Sequence, residues 1–339
     1  MNLERPPRPP SLGFGNMFTQ MFPPRPEFTE KDVPDQTGKV YIVTGSNTGV
    51  GREVASILYS KNAKVYMAAR SEDKANKAID DIQTAWPKST GSLVFQPLDL
   101  ADLSTIKNSA EQFKDAKLHG LINNAAVQAL TAEPPNNTTA QGYEIHMGVN
   151  VLGTFLFTKL LTPKLITTAK SEPPNTVRIV WVSSLGLETV GEKDLGLTPE
   201  YLDYWPSLSP LERYGISKAG NWLYAVEFAN RYKDSGVVSV PCNPGHLRSD
   251  LYRDGGTLFK AFLHTFITYP PVYGAYTELF CALSPKLTIE NSGAWVAPWG
   301  RLHQLRPDLH VATKSESQGG NGHSNKFWKW SEGQVAQYA

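Results

Sequence analysis

Between Val40 and Pro241 short apolar runs alternate with stretches of helical spacing, and no other feature of the chain narrows its fold as far. The runs fall at Val40 to Val43, Lys64 to Ala69, Leu93 to Leu98, Leu118 to Ile122, Thr176 to Ser183 and Val237 to Pro241. Between them, Glu53 to Tyr59, Ser71 to Trp86, Leu103 to Lys114, Asn150 to Ala169 and Leu211 to Lys233 have the spacing of helices, with Ser71 placed to cap its own. Runs this apolar are buried on both faces, unlike the alternating strands of a half-exposed sheet. Buried strands joined by helices make a parallel sheet with right-handed crossovers. The prediction is therefore a doubly wound α/β domain of about seven strands, holding its ligands beyond the carboxyl ends of the strands.

A chain of 339 residues is long for one domain, yet α/β folds often exceed the usual size. The reading is one domain over residues 37–300 with an extension at each end. Residues 1–36 carry Pro6, Pro7, Pro9, Pro10, Pro23, Pro24, Pro26 and Pro34, which favour an extended tail that wraps or trails. In the C-terminal extension, 301–339, the stretch Ser315 to Asn325 reads as a flexible link. Phe327, Trp328 and Trp330 then pin a final helix onto the body.

Net charge is +1, from 33 basic and 32 acidic residues, so no electrostatic footprint points to nucleic acid or an anionic membrane. A small-molecule partner is expected instead. The most apolar stretch, Leu258 to Tyr276, is broken by Lys260, His264, Pro270 and Pro271, so no membrane span is predicted. Peripheral contact with a lipid surface stays open. Cys242 and Cys281, like His246 and His264, have no metal-ligand spacing, and no metal site is assigned. Met1 to Gln20 lack an apolar signal core and Val335 to Ala339 carry no retention or peroxisomal address, so a reducing, cytoplasmic setting is expected.

The glycine pattern Thr44-Gly45-Ser46-Asn47-Thr48-Gly49-Val50-Gly51 follows the first strand and opens the first helix. Gly45 permits a tight turn, Gly49 lets backbone approach a pyrophosphate, and Gly51 lets helix pack on strand. Backbone N–H groups and the helix dipole then hold phosphate. Farther on, Tyr214 and Lys218 stand four residues apart in a predicted helix, on one face. A cation held beside a phenol favours the phenolate, which makes the proton easier to release near neutral pH.

These marks fall in the order of a known family. Thr-Gly-x-x-x-Gly-x-Gly, Asp99 after the third strand, Asn123-Asn124-Ala125 after the fourth, Asn150, Ser183-Ser184, Tyr214 with Lys218, and Asn243-Pro244-Gly245 together resemble the short-chain dehydrogenase/reductase family. The resemblance covers about residues 38 to 300 and looks closest to the retinol-dehydrogenase-like branch, fungal members in particular. It implies a Rossmann fold and an alcohol dehydrogenase or carbonyl reductase, with Tyr214 as general acid/base and Lys218 as its pKa-lowering neighbour and ribose ligand. Ser184 would hydrogen-bond the substrate carbonyl, with Ser183 the alternative, and Asn150 would hold a water in the proton relay. Gly45, Asn47, Thr48, Gly49, Val50, Gly51, Arg70, Asp99, Leu100, Asn124, Ala125, Pro244, Gly245 and Ser249 would bind cofactor along with Tyr214 and Lys218. NAD enzymes of this fold place a carboxylate at the end of the second strand, where this chain has Ala69 followed by Arg70. Arginine suits a 2′-phosphate, so NADP(H) is expected, with Arg52 either helping or facing solvent.

Two departures from the family are local. Ala126 replaces its usual glycine, adding a methyl near the adenine ribose, and the long gap from Ser184 to Tyr214 carries Tyr201, Tyr204, Trp205 and Pro206, either as a roof over the pocket or as a surface loop. Residues 250–281, with Leu251, Leu258, Phe259, Phe262, Phe266, Tyr269 and Tyr273, fall in the family's mobile lid and suit a lipophilic ketone, aldehyde or alcohol; a helical core segment accounts for them equally. Secondary metabolism is a further expectation. An epimerase or cyclase on the same fold, or a catalytically silent NADP(H)-binding regulator, are the alternatives. The resemblance also implies a homodimer through the helices near 150–169 and 211–233, unless the extensions cover those faces.

Overall fold

The computed structural model describes residues 7, 9–129, 137–248 and 268–339. In chain order its main elements are α1 (Phe14–Met21), β1 (Val40–Thr44), α2 (Gly49–Ser60), β2 (Lys64–Ala69), α3 (Glu72–Ala85), β3 (Ser92–Pro97), α4 (Leu103–Glu111), β4 (Gly120–Asn123), α5 (Thr154–Ala169) and β5 (Val177–Val182). They continue with α6 (Gly186–Val190), α7 (Tyr201–Tyr204), α8 (Pro210–Arg231), β6 (Val237–Cys242), α9 (Pro271–Leu283), β7 (Val296–Ala297), β8 (Arg301–Leu302), α10 (Leu309–Thr313) and α11 (His323–Val335).

One sheet of order β3-β2-β1-β4-β5-β6-β7-β8 organises the domain. All neighbours pair in parallel except β7 and β8, which are antiparallel. β8 is the strand beyond the expected seven; with two residues it is too short to leave a periodic signal. Every residue of β1, β4, β5 and β6 is buried, as a sheet covered on both faces requires. One core lies on the α4, α5 and α8 face, around Phe155, Leu156, Trp181 and Tyr224. The other, on the α2 and α9 face, holds Val43, Leu58, Val240 and Leu279.

Local sequence explains most boundaries. Ser71 caps α3 by accepting from the Lys74 N–H, and Ser209 with Glu212 closes a capping box ahead of Pro210 at the start of α8. The helix predicted from Asn150 begins differently, with a π-type turn over Met147–Gly153 before α5. That turn, like the buried helix it feeds, is interior: Met147–Ala169 is long and apolar enough to cross a membrane, but most of it is packed inside the protein.

The N-terminal segment is more built in than a trailing tail. Gln20, Phe28 and Val33 are buried, and Phe28 meets Phe280 of α9 edge to face with ring centroids 5.9 Å apart. Ser315 to Asn325 is likewise structured rather than a flexible link, because its small polar residues bond one another and the body. Ser315 and Gln318 form a capping box, Asn321 donates to the Asp194 carbonyl, and Ser324 and Asn325 both donate to Glu227 of α8. From there α11 crosses α5 and α8. Trp328 packs on Phe155 and Tyr224, the Tyr224 hydroxyl bonds Ser331 at 2.7 Å, and Lys159 of α5 pairs with Glu332 at 3.0 Å.

Of the stretch expected as a lid, residues 250–267, with Leu251, Leu258, Phe259, Phe262 and Phe266, lie outside the described residues. Its last part, α9, is a core helix: Ala275, Leu279, Phe280 and Cys281 are buried against α2 and the sheet. The aromatic loop between Ser184 and Tyr214 also differs from a pocket roof. Tyr201 turns fully inward to donate to Glu144 at 2.9 Å, Tyr204 donates to Glu192, and neither they nor Trp205 and Pro206 border the groove described next.

Candidate active site

A groove of about 1160 Å³ runs along the carboxyl ends of the strands. Gly45, Asn47, Thr48, Gly49, Val50, Arg70, Asp99, Leu100, Asn124, Ala125, Ser184, Tyr214, Lys218, Pro244 and Gly245 all line it. Gly51 and Asn150 do not, and Ser249 lies outside the described residues.

At the β1 end the backbone makes a cradle that side chains would fill. Gly45 (φ +68°) and Gly49 (φ +56°) adopt conformations that L side chains rarely hold. A Cβ on Gly51 would stand 2.5 Å from Asn124 Nδ2 and 2.7 Å from the Gly45 carbonyl oxygen, which is why only glycine lets α2 start so close to β1. Asn124 ties the turn from the other side by donating to the Thr44 carbonyl at 2.8 Å, and Thr44 Oγ1 accepts from the Ala125 N–H. With the N-terminus of α2 facing the groove, this arrangement fits a pyrophosphate.

Beyond the end of β2 the groove becomes basic. Arg52, Arg70, Lys74 and Lys77 line it with Asp81, which pairs with both Arg52 and Lys77 at 3.4 Å. Lys74 and Lys77 escaped the sequence reading because they lie a helical turn and more past the strand end that carries the family signal. No carboxylate occupies position 69, where Ala69 is buried.

Tyr214, Lys218 and Ser184 all line the groove. Tyr214 and Lys218 share one face of α8, with Lys218 Nζ 5.8 Å from the centre of the Tyr214 ring. The Lys218 side chain is 1% exposed, and its ammonium donates to the Val182 carbonyl at 2.7 Å. Burial lowers its pKa to about 8, against the pull of Cys242 and Glu278. Ser184 is half-buried and accepts from the Gly186 N–H, whereas Ser183 is buried and spends its hydroxyl on the Lys218 carbonyl at 2.7 Å.

Asn150 lies at the middle of the π-type turn, with its side-chain amide engaged on both sides. Its Oδ1 accepts from the Val127 N–H at 2.8 Å, while Nδ2 donates to the Val127 carbonyl and to Ser217 Oγ, each at 3.0 Å. It thereby fixes the strip Ala125 to Gln128, a wall of the groove, against α8. His146 holds the same strip one step farther on. Its Nε2 accepts from the Ala129 N–H, and Nδ1 is bonded to the buried Glu144. Neither bond had a signal in the sequence.

Behind the site, Glu278 of α9 is fully buried, and neither carboxylate oxygen has a hydrogen-bond partner among the described residues. Burial pushes its pKa up to about 8, with the Lys218 charge acting the other way. The far end of the groove is apolar, walled by Met21, Ile145, Val149, Leu185, Val190 and Leu211. His246, to which no role was given from sequence, lines the groove, and its buried Nε2 has no hydrogen-bond partner among the described residues. Among the described residues no cluster could hold a metal.

The model of the short chain dehydrogenase family matches residues 39–192. Among curated relatives, a short-chain dehydrogenase/reductase, bet4, of Neocamarosporium betae is 59% identical over 97% of this chain and 95% of its own length. Another, sthC, of Phaeosphaeria nodorum is 61% identical over 87% of this chain and 94% of its own. The fold is also that of an uncharacterized protein from Mycobacterium paratuberculosis (TM-score 0.64, 24% identity, 91% of this chain and 97% of that one). It is shared with a 3-ketoacyl-(acyl-carrier-protein) reductase from Brucella melitensis complexed with NADH (TM-score 0.58, 20% identity, 76% and 96%).

Proposed function

This chain belongs to the short-chain dehydrogenase/reductase family, a family of nicotinamide-dependent oxidoreductases, and from that premise we propose that it interconverts a lipophilic ketone or aldehyde and its alcohol with NADP(H). One observation carries the reading: Ser184, Tyr214 and Lys218 converge in a single groove whose one end is a glycine cradle and whose other end is apolar. The cradle of Gly45, Gly49 and Gly51 would hold the pyrophosphate, and Arg70 with Lys74 and Lys77 a 2′-phosphate. When bound, the nicotinamide supplies or accepts the hydride.

The chain's own residues do the rest. Ser184 holds the carbonyl oxygen, Tyr214 gives it a proton, and the Lys218 ammonium beside the ring eases that release. Lys218 is kept in place by the Val182 carbonyl, so its charge stays where the phenol needs it. Asn150 serves as a positioning residue, since its amide is engaged by Val127 and Ser217.

The test is oxidation of NADPH, followed at its absorbance band, with a panel of lipophilic ketones and aldehydes. Turnover that falls by about 10²–10⁴ in Tyr214→Phe, with NADPH still bound, supports the reading. Full activity in that variant sinks it.

A further inference from the structure

We infer that the N-terminal helix is a fixed wall of the substrate pocket and that Met21, at its end, selects the size and shape of the apolar molecule admitted. The inference rests on the oxidoreductase reading for the name of the reaction and on the geometry alone for the wall.

The helix is anchored by groups on both lips of the groove. Gln20 is 0% exposed although it lies in a Pro-rich segment that reads as a tail. Its Nε2 donates to Glu188 Oε1 at 2.6 Å, and its Oε1 accepts from Asn243 Nδ2 at 3.0 Å. Glu188 belongs to α6, the helix that follows Ser184, while Asn243 directly precedes Pro244 and Gly245 at the end of β6. One side chain therefore bridges the elements that follow β5 and β6, which flank the reactive end of the groove. A third anchor comes from Arg301, which donates to the Thr19 carbonyl at 2.7 Å. Buried amide bonds on both sides fix orientation as well as position, because a swung helix would take the Gln20 partner from the Asn243 Nδ2 and from Oε1 of the buried Glu188.

The next residue along is Met21, half-buried and lining the groove. The same groove is lined by Leu185, Thr189 and Val190, at and within α6, and by Leu211 at the start of α8. A flexible thioether among branched aliphatic side chains favours a bulky, weakly polar ring or chain over a small or charged substrate. Specificity would thus depend on a residue outside the matched family region, which begins at residue 39.

The experiment compares the full-length protein with Met21→Ala, Met21→Trp and Gln20→Leu. A fluorescent naphthyl ketone is titrated into each NADP⁺ complex, and turnover of that ketone is compared with turnover of butanone. Met21→Trp is expected to weaken naphthyl ketone binding about tenfold or more, and Met21→Ala and Gln20→Leu to shift the naphthyl-to-butanone ratio of kcat/KM by a similar factor. NADPH affinity within twofold of wild type shows that each variant is folded. An unchanged ratio and unchanged ketone affinity in both Met21 variants overturns the inference, as does a wild type that binds no naphthyl ketone. Ketone binding that responds to Met21 without any NADPH oxidation instead refutes the oxidoreductase reading and leaves the wall standing.

Discussion

Gly186 and Gly215 face each other so closely that a Cβ on Gly186 would stand 2.6 Å from the Gly215 Cα. Helix α6 follows Ser184 and helix α8 carries Tyr214, so this glycine contact sets how near the two hydroxyls come. In the other direction a Cβ on Gly215 would meet Val190 at 2.4 Å. Gly186→Ala should therefore push α6 away from α8. We expect a loss of about 1–3 kcal/mol in urea unfolding, as for other overpacked cores, together with a kcat reduced at least tenfold. A variant with wild-type kcat would show that the spacing of the two helices is not limiting.

Glu278 gives stability a pH dependence of known sign. Its pKa is about 8 in the folded chain, far above the value of an exposed glutamate, so the native state binds the extra proton between about pH 4 and 8. Stability from this group is full below that window and is lost as pH rises through it. Glu278→Gln mimics the protonated form and should match wild type near pH 5 but melt at higher temperature near pH 8. Thermal melts of both proteins across that range read the difference directly.

Arg70 should report cofactor choice. Losing a charge-assisted bond to a 2′-phosphate weakens binding by roughly ten- to a hundredfold, so Arg70→Ala should raise the Kd of NADPH by that factor and leave NADH nearly unchanged. Because Arg70 is exposed, the effect should shrink as salt is added. Titrations with both nucleotides at low and high salt check it; equal losses for the two would remove Arg70 from the phosphate site.

Arg178 is a structural pin. Its guanidinium donates to the carbonyls of Cys281, Ser284 and Leu287 at 3.1, 2.8 and 3.0 Å, tying the end of α9 to β5. Arg178→Met leaves these three carbonyls, and that of Asn175, without that partner and should destabilise the chain by about 3 kcal/mol or more. Urea midpoints measure the loss, and Arg178→Lys should recover only part of it, since an ammonium cannot span the three acceptors.

What could be read before the structure was whatever repeats or clusters locally. The six apolar runs each gave a strand, the glycine turn sits between β1 and α2, and Tyr214 and Lys218 share a helix face because four residues make about one turn. What could not be read depends on contacts between residues far apart. Gln20 meets Glu188 across 168 positions and Asn243 across 223, and nothing near Gln20 distinguishes it from a solvated glutamine. Asn150 was found by its motif, yet its bonds to Val127 arise from the fold of the strip after β4. The aromatic loop misled for a related reason: Tyr201 signals burial, but the sequence does not say whether the buried face is a pocket or Glu144.

The final helix, α11, gives the chain an unusual relation to dilution. It occupies the α5 and α8 faces through Trp328, Ser331 and Glu332, the faces through which the family resemblance implied pairing. A covalently tethered helix meets its site at an effective concentration in the millimolar range, whereas a second subunit must find it by diffusion. What α11 itself contributes to the rigidity of α8, which carries Tyr214 and Lys218, is thus supplied within one chain, at a strength that does not fall as the protein is diluted.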